Sequence, residues 1–517
     1  MKGKLYVCLF IFFILGFVLV SNGRYGGDGL ENYLTAESIV LDGDAFIYDK
    51  AFDVPEMRYE TRGKVVDSEK RVSAYGLGMA LILVPFYFLG HLVSFLMPNL
   101  AHDYITQFTV SLVNPLILAL LSLVLFRLLR QVGYSLRCSF WSVLIYSFCT
   151  MNIAYSRSGF SEPTVGLLVT LAALFLHKYS FKRSASSLIM AAAFIGYALF
   201  IKKNSFILFP AFGLYFLYLL IREKNSSIRL KVMHLACFML PLILSLFAIL
   251  IQNRLLYGGI FNTEFGSIGG MLLKVRTDGY PIKGLYYYLF SSGKGWFVYN
   301  IALVLGLFSL GDFFKKHKDY CLFILMLLVS NLFLYSFIFV RGSLFSWGPR
   351  YLFPTLPLAV LFIAEFISKN SHLLRRRLVI ISFAILGFLI QLPGLIINFS
   401  KYLFFVKEKL NLPEYLINFM PELSPIKGSW ALFLSMISRH ISGFSLNFSY
   451  NPDYKFVNMV SASLEGYEMV DIWWMNVIKI NSNLTPYVAM VLILVLGLLG
   501  LSLYRIIRYM KGPIYDQ

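Results

Sequence analysis

Long apolar runs alternate with short charged connections along most of the chain. A run of about 20 mainly apolar residues can cross a bilayer as a helix. The pattern therefore predicts an all-α polytopic membrane protein with about 12 transmembrane helices and both ends in the cytoplasm. The predicted spans are residues 5–21, 104–127, 138–156, 163–179, 187–201, 204–221, 232–252, 296–312, 320–340, 350–367, 378–397 and 487–505.

The first apolar run has the charged start of a signal peptide, since Lys2 and Lys4 precede it. The residues that follow, Ser21-Asn22-Gly23-Arg24, form a poor cleavage site. An uncleaved first span is therefore predicted.

The Lys and Arg distribution decides how the apolar segment 76–96 is interpreted. If this segment crossed the membrane, every later basic cluster would lie outside. If it lies along or dips into the outer face, the clusters fall on the cytoplasmic side, where short loops of membrane proteins are rich in Lys and Arg. Residues 76–96 are therefore predicted to be juxtamembrane.

Three large outer regions follow from this topology: 22–103, 253–295 and 398–486. Each contains short amphipathic stretches typical of helices on a membrane surface. We expect a transmembrane module over 1–397, with outer loops 22–103 and 253–295. Residues 398–517 are expected to form an outer-face region plus the final transmembrane helix.

Composition agrees with a membrane protein and excludes other classes. Of the 517 residues, 58% are apolar and only 14% are charged, which is unlike a soluble or disordered chain. The net charge of +19 fits basic cytoplasmic loops rather than nucleic-acid binding. The sequence contains no phosphate-binding glycine loop, zinc motif or serine-nucleophile elbow, and its seven histidines are scattered. No cofactor is required by these patterns.

Acidic residues near the outer face are candidates for catalysis. Asp28 stands between glycines just beyond the first span, before a predicted helix over residues 30–41 that also carries Glu31. Glu162 follows a short outer turn and precedes Pro163. Two ordinary roles stay open: Asp28 as a helix N-cap, and Glu162 as a first-turn acid that suits the helix dipole.

Basic residues at the same level run against the charge rule. Arg157, Lys202, Lys203, Arg341 and Arg350 lie on short outer connections, and Lys294 stands between two glycines before a predicted span. Such cations bind phosphate groups by charge-assisted hydrogen bonds. Lipid headgroups are the ordinary partner for any one of them, whereas the group together favours a dedicated anionic ligand.

A compact outer motif, Trp347-Gly348-Pro349-Arg350-Tyr351-Leu352-Phe353-Pro354, precedes a predicted span. Its Trp347 and Tyr351 are suited either to anchoring in the membrane interface or to stacking on a sugar or polyprenyl chain.

The order of these motifs resembles that of GT-C glycosyltransferases that use polyprenyl-phosphate sugars, such as protein O-mannosyltransferases and lipid A aminoarabinose transferases. The resemblance covers the whole membrane body. It rests on Asp28 to Asp42-Gly43-Asp44, Tyr75 to Tyr87, Tyr155-Ser156-Arg157 with Ser161-Glu162-Pro163, Gly293-Lys294-Gly295 with Tyr299, and Trp347 to Tyr351.

The resemblance implies a role for each candidate residue. Asp28 would be the general base near the acceptor, with Glu162 close by. Lys294 and Arg350, followed by Arg157 and Lys203, would bind the donor phosphate. Supporting roles would fall to Glu31, Tyr75, Trp347 and Tyr351. A divalent cation bridging Asp28 and Glu162 is compatible with this assignment but is not required.

The sequence departs from the family pattern at two places. Gly29 follows Asp28 where many relatives have Glu, and Ser73-Ala74 stand where relatives often carry Lys. These departures affect the general-base motif and the expected phosphate-binding site.

The implied protein lies in the bacterial inner membrane with its active site facing the periplasm. Its partners would be a polyprenyl-phosphate-linked sugar and a lipid, glycan or protein acceptor, with no nucleic acid. A transporter or flippase of a lipid-linked sugar and a non-catalytic envelope scaffold are the alternatives. A transporter would more often show intramembrane charges, broken helices and repeat symmetry.

Overall fold

The computed structural model describes residues 2–26, 28–48, 64–65, 70–96, 101–223, 227–263, 266–267, 281–337, 345–450 and 460–511. These parts of the chain are mostly helical. The α-helices are α1 (Lys2–Leu19), α2 (Gly29–Leu41), α3 (Gly78–Leu96), α4 (His102–Ser111), α5 (Val113–Val132), α6 (Leu136–Phe148), α7 (Glu162–Lys182), α8 (Ala185–Ile201), α9 (Phe209–Arg222), α10 (Ile228–Tyr257), α11 (Pro281–Phe290), α12 (Trp296–Tyr299), α13 (Leu303–Leu307), α14 (Leu310–Lys316), α15 (Lys318–Ser336), α16 (Leu356–Asn370), α17 (Leu374–Ile396), α18 (Phe399–Glu408), α19 (Pro425–Ser442), α20 (Trp473–Ile480) and α21 (Thr485–Lys511).

Short 3-10 turns and strands complete the described elements. The 3-10 helices are Ile153–Arg157, Lys203–Leu208, Arg350–Thr355, Glu414–Asn418, Pro421–Leu423 and Ser482–Leu484. The strands are β1 (Ile47–Tyr48), β2 (Lys64–Val65), β3 (Lys70–Val72), β4 (Asn262–Thr263), β5 (Gly266–Ser267), β6 (Asn447–Tyr450) and β7 (Val460–Ser463). All pairings are antiparallel: β1 and β2 flank β3, β4 pairs with β5, and β6 pairs with β7.

The prediction of a multi-pass helical membrane protein is confirmed. In the described part of the chain, nine helical segments are long and apolar enough to cross a membrane, and two shorter apolar helices accompany them. The nine are Gly78–Leu96, His102–Val132, Glu162–Lys182, Lys203–Arg222, Ile228–Tyr257, Lys318–Ser336, Arg350–Asn370, Leu374–Ile396 and Ser482–Lys511. The predicted juxtamembrane segment is thus a helix of sufficient length to span, and its place along the outer face stays a prediction.

Two predicted spans are not continuous helices. In the segment 138–156, α6 ends at Phe148 and a 3-10 turn follows. The segment 296–312 is divided into α12, α13 and α14. At the breaks within 296–312, polar side chains bond to backbone carbonyls: Asn300 donates to the Trp296 carbonyl at 2.9 Å, and Ser309 donates to the Phe362 carbonyl at 2.5 Å.

Contacts group the chain into two compact units. Unit 1 comprises residues 1–22, 125–156 and 277–517, and unit 2 comprises residues 23–124 and 157–276. In unit 1, α1 packs along α21, α6 packs on α16, and α11 packs on α15. In unit 2, α8 lies between α7 and α10, while α3 packs on both α2 and α4. The predicted boundary at residue 397 stays a prediction.

The region after α17 has its own apolar core in unit 1. Buried side chains of α18, α19 and β6 form this core, with Tyr402, Phe405, Leu432 and Phe448 among them, and the partly buried Ala462 of β7 packs against it. The following helix, α20, holds the last turn of α1. The Trp473 indole N–H donates to the Val18 carbonyl at 2.9 Å. The Asn476 side-chain amide N–H donates to the carbonyl of Asn22, just beyond α1, at 3.1 Å.

Candidate active-site residues

Asp28 occupies the N-cap position of α2, as the sequence predicts. Its backbone is helical, with φ −58° and ψ −21°, and its side chain makes no capping hydrogen bond. A capping residue normally has extended backbone and accepts a bond from the second or third helical N–H. The N-cap interpretation therefore does not account for this carboxylate, which is half-buried.

Two glycines bring the Asp28 loop against the turn that precedes Glu162. A Cβ atom built on Gly29 would lie 2.3 Å from the carbonyl oxygen of Gly159. Asn114, at the start of α5, donates to the carbonyls of Ser158 and Phe160, the latter at 3.2 Å. The structure thus places the two predicted acidic loops side by side in unit 2.

Glu162 forms a buried ion pair that the sequence did not reveal. It is the first residue of α7 and only 2% exposed. The Nζ atom of Lys202, just after α8, lies 2.5 Å from its Oε1 atom. A buried carboxylate needs such a partner, because an isolated ion is costly away from water. The pair favours a positioning role for Glu162 over that of a second base.

Glu31 binds backbone rather than solvent. Its side chain is 5% exposed. Its Oε2 atom accepts the Ala74 N–H at 2.7 Å and the Ser73 hydroxyl at 3.4 Å. The same hydroxyl accepts the Tyr75 N–H at 3.0 Å, and Tyr257 donates to the Ser73 carbonyl. Glu31 thus fixes the connection between β3 and α3, where the resemblance would have placed a lysine.

Lys203 lies in the same unit, beside the end of α10. Its Nζ atom is 3.4 Å from Asn253 Oδ1 and 5.3 Å from the centre of the Tyr257 ring. Arg157, which ends a 3-10 turn, is half-buried. The contacts of Lys203 with Asn253 and of Glu162 with Lys202 could not be read from the sequence, because the two residues of each pair are distant along the chain.

Lys294 belongs to unit 1 and is completely buried. Its ammonium group donates to the Ser346 carbonyl and lies 3.4 Å from the Ser346 hydroxyl. Its loop is tightly held: a Cβ atom on Gly293 would lie 2.4 Å from the Cα atom of Asn418. The glycines flanking Lys294 therefore let backbone segments approach around a buried cation.

Arg350 adds a second positive charge to this site. Burial, and after it the charge of Arg350, lower the pKa of Lys294 well below its ordinary value. The Arg350 guanidinium lies 4.8 Å from the centre of the Tyr351 ring and donates to its hydroxyl at 3.0 Å. Tyr351 in turn stacks on Tyr335, with ring centres 4.6 Å apart. This stack orients the guanidinium.

Several buried polar atoms near Lys294 in sequence, or in contact with its loop, have no hydrogen-bond partner among the described residues. They are Ser292 Oγ, Trp296 Nε1, Tyr288 Oη, Tyr299 Oη and Asn418 Oδ1. Most buried polar atoms in proteins are paired, and an unpaired one costs about 1–3 kcal/mol. A concentration of such atoms is a signal for a polar ligand.

Trp347 is part of the framework in unit 1. Its indole N–H donates to Gln391 Oε1 at 2.8 Å, and Gln391 donates onward to the Tyr299 carbonyl at 2.7 Å. A Cβ atom on Gly394 would lie 2.8 Å from the indole ring. With 7% of its surface exposed, Trp347 supports the motif from inside.

A divalent cation at Asp28 and Glu162 stays a prediction. Within the described parts of the chain, no group of three or more His, Cys, Asp and Glu side chains could hold a metal ion. The Glu162 carboxylate is paired with Lys202.

The middle of the chain matches a known protein family. Residues 89–251 match the family described as dolichyl-phosphate-mannose-protein mannosyltransferase. No curated protein matches the chain.

Three solved structures are similar at low identity. The apo structure of ArnT from Cupriavidus metallidurans is 12% identical, with 84% of this chain and 70% of that chain covered and a TM-score of 0.49. The structure of the same protein bound to undecaprenyl phosphate is 12% identical, with 85% and 72% covered and a TM-score of 0.46. The archaeal oligosaccharyltransferase AglB from Archaeoglobus fulgidus, in complex with an inhibitory peptide and a dolichol-phosphate, is 12% identical, with 91% and 60% covered and a TM-score of 0.42. The resemblance predicted from the sequence is confirmed by the family match over residues 89–251, the segment that carries Arg157, Glu162, Lys202 and Lys203.

Proposed function

We propose that this chain is an integral-membrane glycosyltransferase. It transfers a sugar from a polyprenyl-phosphate donor to an acceptor hydroxyl at the outer, periplasmic face. The observation that carries the proposal is that Lys294 is completely buried and that the nearby positive charge of Arg350 acts on it. A buried cation beside a second positive charge is costly, and an anionic ligand offsets that cost. A donor phosphate supplies that anion.

The surroundings of Lys294 suit such a ligand. The Trp296 indole N–H and the hydroxyls of Ser292 and Tyr288 are buried donors without partners among the described residues. Donors held in place before the reaction stabilise charge that develops on a leaving group at little reorganisation cost. Lys294 and Arg350 therefore hold the phosphate and stabilise the polyprenyl phosphate as it leaves.

Asp28 is the proposed general base. Its carboxylate is not used for capping α2, and it is half-buried at the helix N-terminus. A carboxylate within reach of the acceptor hydroxyl takes its proton while the oxygen attacks the anomeric carbon. The bond from that carbon to the donor phosphate oxygen breaks in the same displacement, so the anomeric configuration inverts.

Glu162 acts as a positioning residue in this proposal. Lys202 holds its carboxylate at 2.5 Å, and the adjoining turn packs against Gly29. The Glu162–Lys202 ion pair thereby fixes the turn that packs against the Asp28 loop. Arg157 and Lys203 add positive charge in unit 2 and are the next candidates for the phosphate.

The test is sugar transfer by the purified protein in lipid. Radiolabelled polyprenyl-phosphate sugars serve as donors and a crude envelope extract as acceptor. We expect the wild type to transfer label and Asp28→Asn to lose transfer while still binding donor. Asp42→Asn, an exposed change at the other end of α2, is the matched control and should stay active.

Other outcomes separate the alternatives. Equal transfer by wild type and Asp28→Asn would reject Asp28 as the base and leave a transferase standing. Movement of donor across vesicles by the wild type, without transfer to any acceptor, would overturn the transferase in favour of a flippase. Loss of donor binding in Lys294→Met, with retained folding, would support the phosphate site separately from the base.

A further inference from the structure

A second cation-lined site lies in unit 1, apart from the residues discussed so far. It is a cavity of about 320 Å³ between the start of α1, the end of α5 and the start of α6. Its polar lining consists of Tyr6, Arg127, Arg130 and Gln131. Its sequence signal is the basic end of a predicted span, which alone would indicate only the cytoplasmic side.

Arg127 and Arg130 both line this cavity. They are three positions apart on α5, so their side chains project from neighbouring points of one helix face. Arg130 donates to the Tyr134 carbonyl at 2.6 Å, which fixes its guanidinium, whereas Arg127 is exposed. None of the residues that line the cavity is acidic. The lining thus carries two positive charges and no carboxylate.

The remaining wall is apolar and aromatic. Leu5, Phe126 and Leu136 line it, and the ring of Tyr6 meets that of Phe126 edge-on at 5.8 Å. A purely ionic ligand would use only the arginine side of this cavity. An amphipathic ligand, with a phosphate group and a hydrocarbon part, would use both.

We propose that this cavity binds the phosphate group of an anionic membrane lipid. The charge distribution along the chain predicts this side to be cytoplasmic, where anionic lipids concentrate and basic pockets between transmembrane helices recognise their headgroups. Guanidinium groups are suited to bidentate bonds with phosphate oxygens. The bound lipid would join α1 to α5 and α6, and so stabilise the folded protein in proportion to its occupancy.

The test measures thermal unfolding and lipid binding in detergent. Phosphatidylglycerol, phosphatidylcholine and inorganic phosphate are titrated separately, and native mass spectrometry counts the bound lipids. We expect phosphatidylglycerol to raise the unfolding midpoint of the wild type, phosphatidylcholine to have little effect, and inorganic phosphate to require far higher concentration.

Variants assign the effect to this cavity. Arg127→Gln should weaken phosphatidylglycerol binding at least about tenfold, the usual scale for a lost charge-assisted bond of about 1.4 kcal/mol. Arg375→Gln, an exposed change in another basic cluster predicted to be cytoplasmic, is the control and should bind like the wild type. Arg127→Lys keeps the charge and should bind with intermediate affinity.

Three outcomes would overturn the proposal. They are equal stabilisation by the two lipids in the wild type, equal stabilisation by inorganic phosphate at matched concentration, and unchanged lipid binding in Arg127→Gln. The comparison of phosphatidylglycerol with phosphatidylcholine uses only the wild type, so it tests the preference for an anionic lipid even if the variants fold poorly. Sugar transfer plays no part in this test.

Discussion

Gly29 and Gly159 are in such close contact that a Cβ atom on the first would lie 2.3 Å from the carbonyl oxygen of the second. The opposing atoms are backbone, so no flexible side chain can move aside. Gly29 adjoins Asp28, and the turn containing Gly159 leads into Glu162. The absence of two side chains is therefore what allows the two acidic loops to meet.

Gly29→Ala should disturb this contact at a cost of about 1–3 kcal/mol, the usual range for overpacking. If the proposed base depends on the contact, sugar transfer should fall at least about tenfold. Thermal unfolding and transfer rate are the two measurements. Gly26→Ala is the matched control, because nothing lies within 4 Å of a Cβ atom there. A Gly29→Ala protein with normal stability and normal transfer would contradict the role of this contact.

Lys202→Met should destabilise the protein by about 3–5 kcal/mol, because it leaves the Glu162 carboxylate buried without its cation. Adding Glu162→Gln should restore part of that loss, since the remaining side chain is neutral. A double-mutant cycle on the free energy of unfolding measures the coupling.

The control for this cycle is Lys369→Met, which breaks an exposed pair with Asp312. That change should cost no more than about 1 kcal/mol. Equal losses for Lys202→Met and Lys369→Met would show that burial of the Glu162 pair has no energetic consequence.

Donor binding should weaken as pH rises. Burial and the charge of Arg350 lower the pKa of Lys294, so the empty site loses its proton at lower pH than an ordinary lysine. A bound phosphodiester favours the charged form and raises that pKa again. At pH values between the Lys294 pKa of the empty site and that of the occupied site, donor binding takes up a proton. Donor affinity therefore falls by up to about tenfold per pH unit as pH rises through this range.

Equilibrium binding of a radiolabelled polyprenyl-phosphate sugar at several pH values checks this dependence. Lys294→Met should bind more weakly and lose the slope. An identical slope in wild type and Lys294→Met would assign the titration to another group.

Trp347→Phe should destabilise the protein by about 1–3 kcal/mol, because it leaves the Gln391 oxygen buried without its donor. Once folded, the variant should keep the wild-type KM for the donor. Pairing the change with Gln391→Leu should recover stability only in part, because Gln391 also donates to the Tyr299 carbonyl. A raised KM with unchanged stability would instead indicate that Trp347 stacks on the substrate.

Much of the local structure could be predicted from the apolar pattern. The helix after Asp28 was expected over residues 30–41 and lies over Gly29–Leu41. Glu162 was expected in a first turn and begins α7. The predicted spans 138–156 and 296–312 contain interrupted helices, and hydropathy does not register side-chain bonds to backbone such as those of Asn300 and Ser309 within the second span.

The candidate site was predictable as a set of residue types and not as a set of contacts. Lys294 and Arg350 stand out in the sequence because they run against the predicted charge rule, and Asp28 and Glu162 because they lie beside predicted spans. The contacts that these residues make cannot be read from the sequence. Lys202 is 40 residues from Glu162, and Ser346 is 52 residues from Lys294.

The amino-acid sequence by itself determined the helical membrane class, since apolar length and the distribution of Lys and Arg act locally on each segment. Only the tertiary structure decided which charges are buried and what they meet. Glu162 and Lys294 are both almost completely buried. Glu162 forms an ion pair with Lys202, whereas Lys294 is near the like charge of Arg350. That difference depends on packing between segments distant in sequence, because desolvation and Coulomb energy are set by neighbours in space.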